Sequence, residues 1–204
     1  MNIALHSTGM TREQFFQWAQ AQDARYEFDG FQPVAMTGGS LRHNVMHLNL
    51  HRALHARLRG TGCRPLGPDA GVATIGESVR YPDALVTCSP ITGDEYVTPN
   101  VVMVFEVISP TSGRTDRIVK VREYAAVPSI LRYVIMESSS IALTVLERGN
   151  GNEKWSVTTL MADDVLLLPE VGIEIPVAEL YEGVGFAEPE TGALSPENPI
   201  VSGA

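Results

Sequence analysis

The run VVMVFEVIS, residues 101–109, constrains this chain more than any other stretch. Its valines, phenylalanine and isoleucine read as a strand bound for a protein core, yet a carboxylate, Glu106, stands at its centre. A buried charge without a partner costs several kcal/mol, so the fold must bring a compensating group to that strand. Upstream, GVATIGESVRYPDALVTC (71–88) gives two further strand-like runs, separated from the first by SPITGDEYVTPN. With Cys88 opposite Val101 in an antiparallel hairpin, the constant sum of paired positions sets Asp83 opposite Glu106, and a bulge shifts this by one. Like charges directly opposite destabilise a sheet. A divalent cation between the two acids relieves both problems, because Mg²⁺ or Mn²⁺ takes carboxylate oxygens and completes its shell with water and phosphate. The structural alternative is a core-edge glutamate bonded to an arginine, with Arg80, Arg114 and Arg117 as partners.

The remaining pattern is mixed. TREQFFQWAQAQ (11–22) opens with a capping-box threonine and glutamine and continues as a helix. RYEFDGFQPVAM (25–36) alternates around a DG turn and reads as a hairpin. Ser40 to Arg59 is the longest helix, with Met46, Leu50, Leu54 and Leu58 in one stripe and Gly60 and Gly62 closing it. TSGRTDRIVKVREYAA (111–126) reads as a helix whose core stripe is Ile118, Val121 and Ala125, leaving Lys120 off that stripe beside Tyr124. RYVIME, IALTVLER and KWSVTTL form a meander, and EVGIEIPVAELYEGV adds a strand and a helical turn. The order implies one α/β (α+β) domain, residues 1–187, around one central sheet; the tail, 188–204, is acidic and reads as disordered.

Charge and cysteine usage narrow the function classes. The net charge of −9 is confined to the C-terminal quarter: residues 1–150 hold 14 basic and 14 acidic side chains, residues 151–204 only 1 and 10. A neutral body carrying five arginines and no acid from Arg42 to Arg64 is compatible with a polyanionic partner. Lysine is rare, only Lys120 and Lys154 against 13 arginines, which singles out each one. Cys63 and Cys88 match no metal or redox spacing and read as buried thiols. No run of eighteen apolar residues and no signal-like start occurs, so the expected location is the cytoplasm.

YPDALV followed by FEVIS resembles the PD-(D/E)xK nuclease superfamily. RYEFDG, SLRHN, PDALVTC, FEVISPTSGRTDRIVKVREYA, VPSILRYVIM and GIEIPVAELY, in that order over residues 10–183, are similar to the Uma-two family of restriction endonucleases. The resemblance implies a restriction-endonuclease-like mixed sheet flanked by helices, with Asp83 and Glu106 binding Mg²⁺ or Mn²⁺ and DNA as the substrate. Two residues after the glutamate, where the superfamily pattern has lysine, this chain has Ile108. The family's lysine comes from the following helix, which makes Lys120 the matching catalytic residue, with Glu27 and His43 in supporting places. An isolated helix ion pair of Lys120 with Asp116 or Glu123 is the plain alternative.

His43, His47, His51 and His55 recur every four residues along the long helix. Zinc would need further ligands, so a boundary position or a polyanion-facing ridge with Arg42, Arg52 and Arg59 is the better reading. A duplex cut needs two sites related by a two-fold axis, which implies a homodimer. The competing function is a catalytically silent binding or regulatory protein on the same fold, motivated by Ile108 and the acidic net charge.

Overall fold

The computed structural model describes residues 9–108, 115–149 and 154–186, without the side chains of 115 and 116; the acidic tail lies outside them. Helix α1, Arg12–Ala19, starts with the expected capping box: Thr11 Oγ1 accepts from the Gln14 N–H, and Gln14 Oε1 from the Thr11 N–H. Strands β1, Tyr26–Phe28, and β2, Pro33–Ala35, pair across the turn in which Asp29 Oδ1 accepts from the Phe31 and Gln32 N–H groups and Gly30 takes a positive φ of 92°. Helix α2, Leu41–Leu58, is capped by Ser40 and buries the stripe Met46, Leu50, Leu54 and Leu58.

The central sheet has six strands in the order β10-β9-β8-β7-β6-β3. These are β3 (Arg64–Leu66), β6 (Ala84–Thr87), β7 (Val101–Ile108), β8 (Arg132–Glu137), β9 (Ala142–Glu147) and β10 (Ser156–Met161). Only the β7–β8 pair is parallel. Its crossover contains a π-helical turn, Thr115–Lys120, and α3, Val121–Ala125. One face of β7, with Met103, Phe105 and Val107, packs under α2; the other, with Val104 and Ile108, packs with Tyr124 and Ile130. Burial on both faces explains why 101–108 reads as an unbroken apolar run. Each such fully buried side chain contributes about 1.5–3 kcal/mol.

A second sheet, β2-β1-β5-β4, contains β4 (Val72–Ala73) and β5 (Val79–Arg80). A ribbon of β11 (Val165–Leu168) and β12 (Ile173–Pro176) lays Leu166, Leu168 and Ile175 on the α2 side of the core, and α4 (Val177–Leu180) follows. The central sheet expected from the sequence is present, and two smaller sheets accompany it, one of them because the hairpin strands near the N-terminus pair with β5.

Two expectations are corrected. Ile118 is exposed while Lys120, Glu123 and Tyr124 are buried, because the π-helical turn shifts the phase of the segment before α3. Cys63 and Cys88 are not buried thiols but form a disulfide. They flank the cross-strand pair Arg64↔Thr87, so β3, a proline-containing strand too short to register in the pattern, sets them opposite each other. No helix among the described residues is long and apolar enough to cross a membrane.

Candidate active site

The β6–β7 ladder keeps a sum of 189 across Ala84↔Phe105, Leu85↔Val104 and Val86↔Met103, then shifts at a bulge so that Thr87 meets Val101. Cys88 therefore lies one place past the expected register. At the other end the ladder stops at Ala84↔Phe105, one residue short of Asp83 and Glu106. Asp83 forms the bend before β6 and accepts the Val107 N–H at 2.7 Å through Oδ2. Its Oδ1 lies 3.2 Å from His43 Nε2. Burial pushes the Asp83 carboxyl up, but the hydrogen bond and charge of His43, the Val107 N–H and the charge of His47 outweigh it. The carboxyl ends below its ordinary value.

Glu106 is the inner acid, 6 % exposed. Its Oε1 accepts from Lys120 Nζ at 2.8 Å and from Tyr124 Oη at 3.1 Å. Lys120 also stands 3.4 Å from Glu27 Oε1. One position along from the cross-strand pair Phe28↔Val79, Glu27 faces Arg80, whose Nη1 donates to Glu27 Oε2 at 3.1 Å. The Tyr81 N–H donates to Glu27 Oε1. Arg80 forks onto Glu123 of α3, Nε to Oε2 at 2.6 Å and Nη2 to Oε1 at 2.7 Å. Burial lowers the Arg80 guanidinium, but Glu123 and Glu27 outweigh that and raise it above its ordinary value. Burial and the neighbouring Glu106 charge hold Tyr124 well above the usual phenol range, so it is a donor to Glu106 at neutral pH.

Of the residues singled out in the sequence, Lys120 bonds Glu106 and stands beside Glu27, while Asp83 and His43 form a separate pair that meets them through the Val107 N–H next to Glu106. Lys120 reaches Glu106, and Glu123 is taken by Arg80; the side chain of Asp116, the other acid considered, lies outside the described residues. Of the arginines considered as partners of Glu106, Arg80 bonds Glu27 and Glu123, Arg117 bonds Glu137, and Arg114 lies outside the described residues. Sequence reasoning named Arg80, Glu123 and Tyr124 only as structural neighbours of Glu106 and Lys120, and did not foresee that Arg80 joins Glu27 to Glu123 or that Tyr124 donates to Glu106.

Of the two expected readings the histidine row fits the boundary position, with His43, His47 and His51 half-buried. His47 and His51 Nε2 lie 2.9 and 3.1 Å from the Asp83 carbonyl oxygen, and His55 is exposed. Burial holds His51 below its ordinary value. The neighbouring arginines are partly consumed: Arg52 pairs with Glu182 and Arg57 forks onto Glu179, while Arg42 donates to the Ser138 carbonyl. Among the described residues, no three His, Cys, Asp or Glu side chains are placed to hold a metal ion as a group.

A mixed sheet with a parallel crossover after its acid-bearing central strand, and a carboxylate–lysine cluster at that strand's end, defines a restriction-endonuclease-like protein. A crystal structure from Anabaena variabilis, described as "a putative nuclease belonging to DUF820", has the same fold: TM-score 0.62, 12 % identity, 84 % of this chain and 97 % of that one covered. The chain belongs to the Uma2 family, described as "Putative restriction endonuclease", whose profile matches residues 12–178. It is similar to the Synechocystis sp. protein described as "Uncharacterized protein slr1290", 28 % identical over 180 residues covering 87 % of this chain and 94 % of the relative.

Proposed function

We propose that the protein is a metal-dependent endonuclease that hydrolyses phosphodiester bonds of DNA. The observation that carries this reading is the 2.8 Å contact of Lys120 Nζ with Glu106 Oε1. It supplies, from the segment after β7, the ammonium that Ile108 cannot supply from the strand itself. Family membership supports the same substrate class.

Metal fit is judged on the donor set. Among the described side chains, four carboxylates, Asp83, Glu106, Glu27 and Glu123, meet two cations, Arg80 and Lys120. Hard oxygen donors suit Mg²⁺ or Mn²⁺, which need only one or two protein carboxylates. Asp83 and Glu106 are the residues that would hold the ion, which when bound lowers the pKa of a coordinated water and offsets charge on the scissile phosphate. Lys120 Nζ, fixed by Glu106 and Glu27, holds a proton and a positive charge where a phosphate oxygen would sit. Glu27 and Arg80 orient that ammonium through the bonds already described. His43 holds the Asp83 carboxylate that faces solvent. Cutting both strands of a duplex calls for a homodimer.

A catalytically silent binding role on the same fold has its own support: Glu106 is already bonded to Lys120 and Tyr124, and Arg52 and Arg57 are covered by acids. Calorimetric titration of Mg²⁺ or Mn²⁺ into the wild type and Glu106→Ala, followed by cleavage of supercoiled and linear DNA, separates the readings. Binding lost in the variant, with metal-dependent nicking by the wild type, is the expected result. Metal-loaded wild type that leaves every DNA and RNA substrate intact beside an active control nuclease refutes the enzyme reading.

A further inference from the structure

The contacts of α2 with Asp83 divide into two kinds. His43 touches the carboxylate, whereas His47 and His51, one and two helical turns on, both reach the Asp83 main-chain oxygen at 2.9 and 3.1 Å. A carbonyl oxygen has two lone pairs and only accepts, so each imidazole must present an Nε2–H. Two donors then occupy the carbonyl from one side. The two rings meet edge to face, with centroids 4.5 Å apart, and hold each other in place. Asp83 lies at a bend outside β6 proper, where the ladder does not fix the peptide plane.

We propose that His47 and His51 are positioning residues: a pair of imidazoles clamps the Asp83 peptide plane to α2 and so aims the carboxylate across the ladder at Val107 and Glu106. The clamp acts through the main chain and leaves both carboxylate oxygens to their own partners, Oδ1 to His43 and Oδ2 to the Val107 N–H. Freed from the clamp, the peptide plane turns, and the carboxylate leaves the Val107 N–H. Its consequence for metal affinity rests on the proposed nuclease reading; its consequence for the Val107 amide does not.

The test compares two double variants of the full chain. His47→Leu/His51→Leu keeps bulk and removes both donors, and His47→Gln/His51→Gln restores an N–H near each Nε2 position. Amide hydrogen exchange at Val107 is followed by NMR, with Val104 and Phe105 of the same strand as controls, and Mn²⁺ affinity is measured by calorimetry. In the leucine variant, Val107 is expected to exchange about tenfold faster than its neighbours' change accounts for. Mn²⁺ binding is expected to weaken about 10-fold or more. The glutamine variant recovers most of both losses. Val107 protection unchanged in the leucine variant, or identical behaviour of the two variants, overturns the clamp. If the leucine pair does not fold, His51→Leu alone against His51→Gln gives the same readout. A wild type that binds no Mn²⁺ removes the metal reading, and Val107 exchange still decides the clamp.

Discussion

Lys120→Met removes the ammonium from beside the buried Glu106 carboxylate. Lys120 Nζ stands 2.8 Å from Glu106 Oε1 and 3.4 Å from Glu27 Oε1, and both Lys120 and Glu106 are below 10 % exposed. Unit charges at the shorter distance attract by about 6 kcal/mol at an effective dielectric constant near 20, before desolvation is subtracted. Deleting one member of a buried pair costs about 3–5 kcal/mol, because the other charge stays behind. For a chain of this size that corresponds to a melting temperature lower by about 6–20 °C. Methionine keeps the stem's volume, so packing loss adds little. The informative step is adding Mg²⁺ or Mn²⁺: a cation held by Asp83 and Glu106 replaces the missing ammonium. It returns RT ln(1 + [L]/Kd), about 2.7 kcal/mol at a hundredfold excess over Kd. Urea denaturation with and without the metal reads both quantities, and Glu106→Ala/Lys120→Met is expected to show no metal effect. A loss below about 1 kcal/mol would show that the pair is solvent-screened and not buried. A Lys120→Met variant whose stability ignores a metal that the wild type binds would refute the argument that Asp83 and Glu106 together hold a divalent ion.

Arg80→Met should lose about 3–5 kcal/mol in denaturant titration, since it strands Glu27 and Glu123 together, and Glu123→Gln in the same chain should return part of it. Asp83 titrates below its ordinary 3.8 in the folded protein, so its contribution is present above that value and is lost as pH falls through the lower folded one. The stability difference between wild type and Asp83→Asn should accordingly be flat above about pH 5 and shrink below about pH 4, as followed by urea midpoints. Reducing the Cys63–Cys88 disulfide, which closes a loop of 25 residues, should cost about 3–4 kcal/mol on the chain-entropy account, measured by denaturation with and without reductant.

What was legible in the sequence follows from which interactions leave a trace in residue order. Glu106 was visible because an acid in an apolar strand is a local contradiction. Asp83 followed because strand pairing is arithmetic, and the bulge between Val86 and Thr87 displaced only the turn end of the ladder. Lys120 was nameable by its resemblance to a family position, but its direction was not. Helical phase at 100° per residue points Ile118 inward, and the π-helical turn rotates Lys120 there instead. His47 and His51 bond a carbonyl, which every residue has, so their target has no signature. The disulfide was read in the wrong sense because the three-residue strand that aligns its cysteines is shorter than any period it could display.

The cluster's composition bears on whether these residues serve the fold alone. Buried ion pairs are weak contributors to stability, and well-packed apolar side chains of similar volume often replace them at no loss. Here Arg80 is shared by two carboxylates, Lys120 by two, one of them the same Glu27, and Asp83, 15 % exposed, stands beside His43. The fold holds that acid with four separate contacts, one to each carboxylate oxygen and two to its carbonyl. Among the described side chains, gathering Asp83, Glu106, Glu27 and Glu123 at the end of the central strand brings packing no benefit. It does make sense if a cation and a phosphate are to arrive there, which is why the metal dependence of Lys120→Met separates the two accounts where stability alone would not.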